Sequence, residues 1–208
     1  MSGKVIIKIC GLTRKEDLRV CQDLGIDLTG FIFHASSPRY VSPEVVGAWP
    51  KLSELRVGVF VRASTLEVLE AVQVAGLDLV QLHGGQDRLF CRRVGTERVI
   101  RVFWPERFEC KADFERELCA FQDCCRYFLF DAGRSLGGHG RKIQCSWLAE
   151  VKSPMPFLLA GGLAPDNLDH ALEFSPRGVD LNSGVELSPG QKDAEKIRNV
   201  VKQLRGIE

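Results

Sequence analysis

The sequence has 208 residues, 45% of them apolar and 26% charged. That is an ordinary globular balance, enough for one sizeable core and short for two complete domains. With 28 Lys and Arg against 27 Asp and Glu the formal charge is +1, so nothing global favours nucleic acid or a membrane surface, and an anionic ligand has to be held locally. No stretch approaches the roughly 20 apolar residues of a membrane span. Val5-Ile6-Ile7 is interrupted by Lys8 too soon for a signal peptide. The expectation is a cytoplasmic protein.

Along the chain, short apolar runs alternate with longer amphipathic stretches. The strand candidates are Val5–Cys10, Leu28–Phe33, Arg56–Val61, Leu77–His83, Arg98–Trp104, Tyr127–Asp131, Phe157–Ala160 and Gly178–Leu181. Each is apolar on successive residues, as in a parallel sheet covered on both faces. Thr13-Arg14-Lys15-Glu16 and Ser64-Thr65-Leu66-Glu67 read as capping boxes at helix starts. Gly25 and Gly76 fall where such helices end, and Pro43 and Pro165 suit first turns. A final helix is predicted over Lys192–Leu204. Strands alternating with helices allow an open doubly wound sheet or a closed barrel. The count of eight units and the helix after the last strand favour a single-domain (β/α)₈ TIM barrel over residues 1–208.

The eight cysteines (Cys10, Cys21, Cys91, Cys110, Cys119, Cys124, Cys125 and Cys145) include no C-x-x-C pair and no histidine at zinc-finger spacing. The expectation is reduced, mostly buried thiols and no metal site.

In a barrel the reacting groups stand at the C-terminal ends of the strands. The polar or glycine-rich ends are Cys10-Gly11, His83-Gly84-Gly85, Asp131, Gly161-Gly162 and Ser183-Gly184. Glycines after strands seven and eight let backbone N–H groups approach a phosphate; read singly, either pair is equally a tight turn. Cys10 is a usable base if a cation or helix terminus lowers its pKa, and otherwise a core cysteine. Asp131 closes an apolar run and is either a cleft acid or a turn cap. Arg39 follows strand two in Ser37-Pro38-Arg39 and can fork onto a carboxylate or lie in solvent. His83 is a ligand contact or a satisfied histidine. Gly133–Gly140 reads as a glycine-rich loop without the Gly-Lys-Ser/Thr ending of a phosphate loop.

Taken together, Lys8-Ile9-Cys10-Gly11, Phe33-x-x-x-Ser37-Pro38-Arg39, Val57-Gly58-Val59-Phe60-Val61, Gln81-Leu82-His83-Gly84, Asp131 with Gly137-Gly138-x-Gly140, Leu159-Ala160-Gly161-Gly162-Leu163 and Val179-Asp180-x-x-Ser183-Gly184-Val185-Glu186 resemble the phosphoribosylanthranilate isomerase family, in order and spacing, over nearly the whole chain. The resemblance implies an Amadori rearrangement in tryptophan biosynthesis, with no cofactor and no metal. It implies Asp131 as the acid that opens the ribose ring and Cys10 as the base that removes the C2′ proton. Backbone groups around Gly161, Gly162, Ser183 and Gly184 would hold the phosphate, and Arg39 would meet the anthranilate carboxylate. His83 and Asp180 would line the substrate site without a defined role. The partner is a small phosphorylated molecule, and a monomer is the default.

The sequence departs from the family at His139, where a small hydroxyl residue is usual, and at Ile143-Gln144-Cys145, where an aromatic, an acid or amide, and Trp are common. Three other readings stay open. One is a histidine-pathway aminoaldose isomerase, which resembles this barrel but has aspartate at the position of Cys10. The others are a catalytically silent binding barrel and a redox sensor built on the cysteines.

Overall fold

A computed structural model describes residues 4–131 and 145–206. Eight parallel strands form a closed barrel: β1 (Ile6–Ile9), β2 (Leu28–Ile32), β3 (Leu55–Phe60), β4 (Leu79–Leu82), β5 (Val99–Phe103), β6 (Tyr127–Phe130), β7 (Phe157–Leu159) and β8 (Gly178–Leu181). Closure is made by β1 on β8, with Ile6 opposite Gly178 and Lys8 opposite Asp180. Each strand lies within a residue or two of its sequence expectation.

Because side chains alternate along a strand, each strand feeds two cores. Leu28, Val57, Leu79, Ile100, Leu129 and Leu158 belong to a cluster that fills the barrel. The larger cluster, including Ile7, Phe31, Val80, Phe128 and Val179, packs between the sheet and the helices. The same alternation turns Lys8 and Cys10 inward from β1, Gln81 and His83 from β4, Asp131 from the end of β6 and Asp180 from β8.

The outer helices are α1 (Lys15–Asp23), α2 (Pro43–Gly47), α3 (Thr65–Ala75), α4 (Arg88–Val94), α5 (Lys111–Phe121), α6 (Leu168–Leu172) and α7 (Ala194–Arg205). Ser64 and Glu67 complete the capping box expected at α3, and Gly76 ends that helix at φ +61. Gly25, also at φ +61, lies two residues beyond α1. Pro43 occupies the first turn of α2, where Ser42 accepts from Val45 N. Pro165 opens a 3₁₀ turn leading into α6. Arg56, buried on β3, donates to Val46 O and Ala75 O, so one guanidinium satisfies end carbonyls of α2 and α3.

Two expectations need correction. Thr13 does not cap α1, whose N-cap is Arg14 without a side-chain bond; the Thr13 hydroxyl donates to Gly190 O at 2.6 Å, a partner remote in sequence. Lys192 is not helical: Glu186–Ser188 (β9) and Gln191–Lys192 (β10) form a small hairpin, and Asp193 caps α7 by accepting from Glu195 N and Lys196 N. Between β6 and β7 the described residues hold a 3₁₀ turn at Leu148–Glu150; the rest of that connection, residues 132–144, lies outside the described residues. The eight cysteines are free thiols; five are buried, while Cys110 and Cys119 are exposed and Cys145 is half-buried. No helix among the described residues is long and apolar enough to cross a membrane.

Candidate active site

Barrel closure brings the predicted strand-end residues to one mouth. Cys10 follows β1, is 5% exposed, and is fixed by its N–H donating to Leu181 O at 2.8 Å. Below it, Lys8 is fully buried and donates from Nζ to both carboxylate oxygens of Asp180, each at 2.8 Å. Gly30 on β2 supplies the space: a methyl there would stand 3.0 Å from Cys10 Sγ and 3.2 Å from Lys8 Nζ. Burial pushes the Cys10 thiol up, while Lys8 and Lys192 oppose that rise. Burial also disfavours the Lys8 ammonium, but Asp180 and Cys10 outweigh it and hold Lys8 above its ordinary range.

Arg39 folds back over Gly11, whose φ of +72 and lack of a side chain permit the approach; a Cβ on Gly11 would meet Arg39 Cδ at 2.8 Å. Its guanidinium is not in solvent. Nε donates to Glu186 Oε1 at 2.9 Å and Nη2 to Oε2 at 2.7 Å, a bidentate pair. Lys192 Nζ reaches the same carboxylate at 2.8 Å and Asn182 Oδ1 at 2.9 Å. Two buried cations therefore share one carboxylate. The Glu186 carboxyl resists the upward push of burial and stays below its usual range because Arg39 and Lys192 bond to it. Among the described residues Nη1 of Arg39 donates to none, so the guanidinium keeps a second donor edge.

Across the mouth, His83 Nε2 lies 3.6 Å from Asp131 Oδ2. Asp131 N donates to Phe103 O at 2.9 Å, anchoring the residue to the end of β5. His83 packs edge-on against Trp104, with ring centroids 5.3 Å apart, and Gln81 Nε2 lies 3.4 Å from Nδ1. Gln81 Oε1, His83 Nε2 and Trp104 Nε1 are buried without a hydrogen-bond partner among the described residues.

The two glycine turns expected to hold phosphate are in contact. Gly161 and Gly162 adopt φ of +99 and +60. Asn167 locks their turn, donating to Gly162 O at 2.9 Å and accepting from Ala164 N at 3.0 Å. From the other side Gly184, in the 3₁₀ turn Ser183–Val185, approaches so closely that a Cβ would be 2.0 Å from Leu163 O. Gly133–Gly140, with His139, and Ile143-Gln144 lie outside the described residues.

Sequence reasoning missed Lys8, Glu186, Lys192 and Asn182 as parts of the site. The signal for Lys8 was its place two residues before Cys10, on the same inward face. Glu186 closes a motif that carries the family resemblance, but nothing local assigns it a partner: Lys192 lies six residues on and Arg39 147 residues away.

Comparison with known proteins decides the family. The family model described as N-(5′-phosphoribosyl)anthranilate (PRA) isomerase matches residues 7–203. The chain belongs to the N-(5′-phosphoribosyl)anthranilate isomerase family. The isomerase of that name from Maridesulfovibrio salexigens is 46% identical over 194 residues, covering 93% of this chain and 95% of the relative. The Thermotoga maritima phosphoribosyl anthranilate isomerase superposes with a TM-score of 0.85 at 30% identity, covering 98% of this chain and all of that one. A phosphoribosyl anthranilate isomerase solved with reduced 1-(o-carboxyphenylamino)-1-deoxyribulose 5-phosphate superposes at 0.78, also at 30% identity and over 98% of this chain and all of that one.

Proposed function

We propose that this chain converts N-(5-phosphoribosyl)anthranilate to 1-(2-carboxyphenylamino)-1-deoxyribulose 5-phosphate, the Amadori step of tryptophan biosynthesis, by general acid–base catalysis. The observation that carries the reading is the mouth itself: a thiol backed by a buried ammonium on one side, a carboxyl beside a histidine on the other, and two touching glycine turns between strand ends. Aldose–ketose isomerisation needs one group to protonate oxygen and another to deprotonate carbon.

Asp131, in its acid form, gives its proton to the ribose ring oxygen as the C1′–O bond breaks and the nitrogen lone pair closes a Schiff base. Cys10, as thiolate, takes the C2′ proton, and the electrons of that bond neutralise the iminium to an enolamine. Tautomerisation then moves a proton onto C1′ and releases the one on the C2′ hydroxyl. The thiol supplies the first and the Asp131 carboxylate accepts the second, so both groups return to their starting states.

Backbone N–H groups of the turns at Gly161–Gly162 and Ser183–Gly184 hold the phosphate, whose remote binding energy orients the sugar. Arg39, fixed along one edge by Glu186, presents its other edge to the anthranilate carboxylate. The buried polar atoms of Gln81, His83 and Trp104 are groups that sugar hydroxyls would satisfy. The proposed groups sit at the mouth of one closed eight-stranded barrel, which supports residues 1–208 acting as one barrel domain; a monomer is the default state. The cytoplasm suits a phosphorylated substrate of this class. The Thermotoga maritima enzyme is described as dimeric.

The test is loss of anthranilate-type fluorescence when purified protein meets freshly generated phosphoribosylanthranilate, with Cys10→Ala beside it. Rapid loss in the wild type, reduced about 10²-fold or more in the variant, is the expected result. Equal rates in both would remove Cys10 from the mechanism, and no turnover by folded wild type would favour the silent barrel.

A further inference from the structure

Lys8 is the buried cation behind the thiol, and no step of the scheme above says what it does. It is held inside the barrel by two 2.8 Å bonds to Asp180. Such a pair is costly to bury, and apolar replacements of similar volume are often as stable. Stability is therefore a weak reason for it to exist, whereas its location supplies a strong one. Lys8 and Cys10 share the inward face of β1, and Asp180 stands directly across from Lys8 on β8. The ammonium and the sulfur both border the space left by Gly30, at 3.2 and 3.0 Å from where its methyl would be.

Other charges face the thiol. Lys192 comes from β10 and Arg39 from the loop after β2, but these two share Glu186 on β9. Among the groups acting on Cys10, Lys8 is the strongest opponent of the rise that burial imposes, and Asp180 works against it. Among the described residues, a thiolate formed at Cys10 thus meets one cation, Lys8, whose counter-ion is not shared with another cation.

We propose that Lys8 is the positioning residue that supplies the counter-charge for the Cys10 thiolate, and that Asp180 holds the ammonium against the sulfur while tempering its charge. This rests on the reading of Cys10 as the base. The pair would then combine orientation with restraint: Lys8 stabilises the thiolate, and Asp180 keeps it from becoming so stable that it is a poor base.

The test measures the thiol directly. Iodoacetamide modification of Cys10 is followed by peptide mass spectrometry from about pH 6 to about pH 10, in a background with the exposed Cys110 and Cys119 changed to Ser. The double variant Lys8→Met/Asp180→Asn removes both charges together, so no unpaired charge is left buried to unfold the barrel. Its Cys10 is expected to react at least about tenfold more slowly near neutrality, one unit of pKa or more. The alkaline limb of its kcat/KM profile should move up equally, with kcat falling and KM nearly unchanged. Asp180→Asn alone is expected to shift the reaction midpoint the other way, to lower pH, and Lys8→Arg to recover part of the wild-type rate. An unchanged midpoint and alkaline limb in the double variant would overturn the inference and leave the pair purely structural. Failure of the underlying reading looks different: Cys10→Ala would turn over normally.

Discussion

His83 Nε2 stands 3.6 Å from Asp131 Oδ2, close enough to sense the carboxyl and too far for a full hydrogen bond. Gln81 Nε2 lies 3.4 Å from the other ring nitrogen, Nδ1, so an amide donating there would leave the ring proton on Nε2, facing Asp131. Burial, reinforced by Lys8, Arg101 and Arg107, pushes the imidazole down to about 4. The ring is therefore neutral at neutral pH, a weak donor beside the proposed acid rather than a cation that would lock it as a carboxylate.

That neutrality has a consequence for stability. Above about pH 6.5 His83 is neutral folded and unfolded and contributes nothing. As pH falls below that value the unfolded chain takes a proton that the native ring refuses, and the loss continues until the native ring titrates near 4. Urea unfolding should show wild type losing about 2 kcal/mol between about pH 7 and about pH 5 beyond what His83→Asn loses over the same range.

Glu186 neutralises Arg39 and Lys192 at once. Glu186→Gln would leave two buried cations facing an amide. It is expected to cost about 3 kcal/mol or more in denaturant unfolding, and to raise KM because Arg39 loses its bidentate anchor. Wild-type stability together with wild-type KM would show that the guanidinium is held by something else.

Gly184 has no room for a side chain, since a Cβ would collide with Leu163 O at 2.0 Å. Gly184→Ala should force apart the turns after β7 and β8. Inorganic phosphate should then inhibit at least about tenfold less tightly, and KM should rise by a similar factor, an effect on the order of 1.4 kcal/mol. Unaltered phosphate inhibition would place the anion elsewhere.

The strands were legible because a sheet covered on both faces writes an unbroken apolar run, and Phe128-Leu129-Phe130 is such a run. The box at Ser64 was legible because both of its partners lie within four residues. Thr13 showed the same local pattern but bonds Gly190 O instead. Tertiary contact overrode local chemistry there, and no local signal announced it. Lys192 looked helical by its place beside an amphipathic stretch; its two bonds to Asn182 and one to Glu186 draw it into the hairpin. Cys10, Asp131 and the glycine turns stand out in the sequence as polar or glycine-rich strand ends. Lys8 does not stand out because it lies within its strand rather than at the end, and Arg39 meets its partner only through a contact 147 residues away.

The bond between Lys8 and Asp180 joins positions 172 apart in the chain. During synthesis the first strand emerges with its ammonium, and the carboxylate that neutralises it arrives only with the eighth. The last strand thus brings the counter-ion of the first, and the seam that closes the barrel is also where its fully buried ammonium is neutralised.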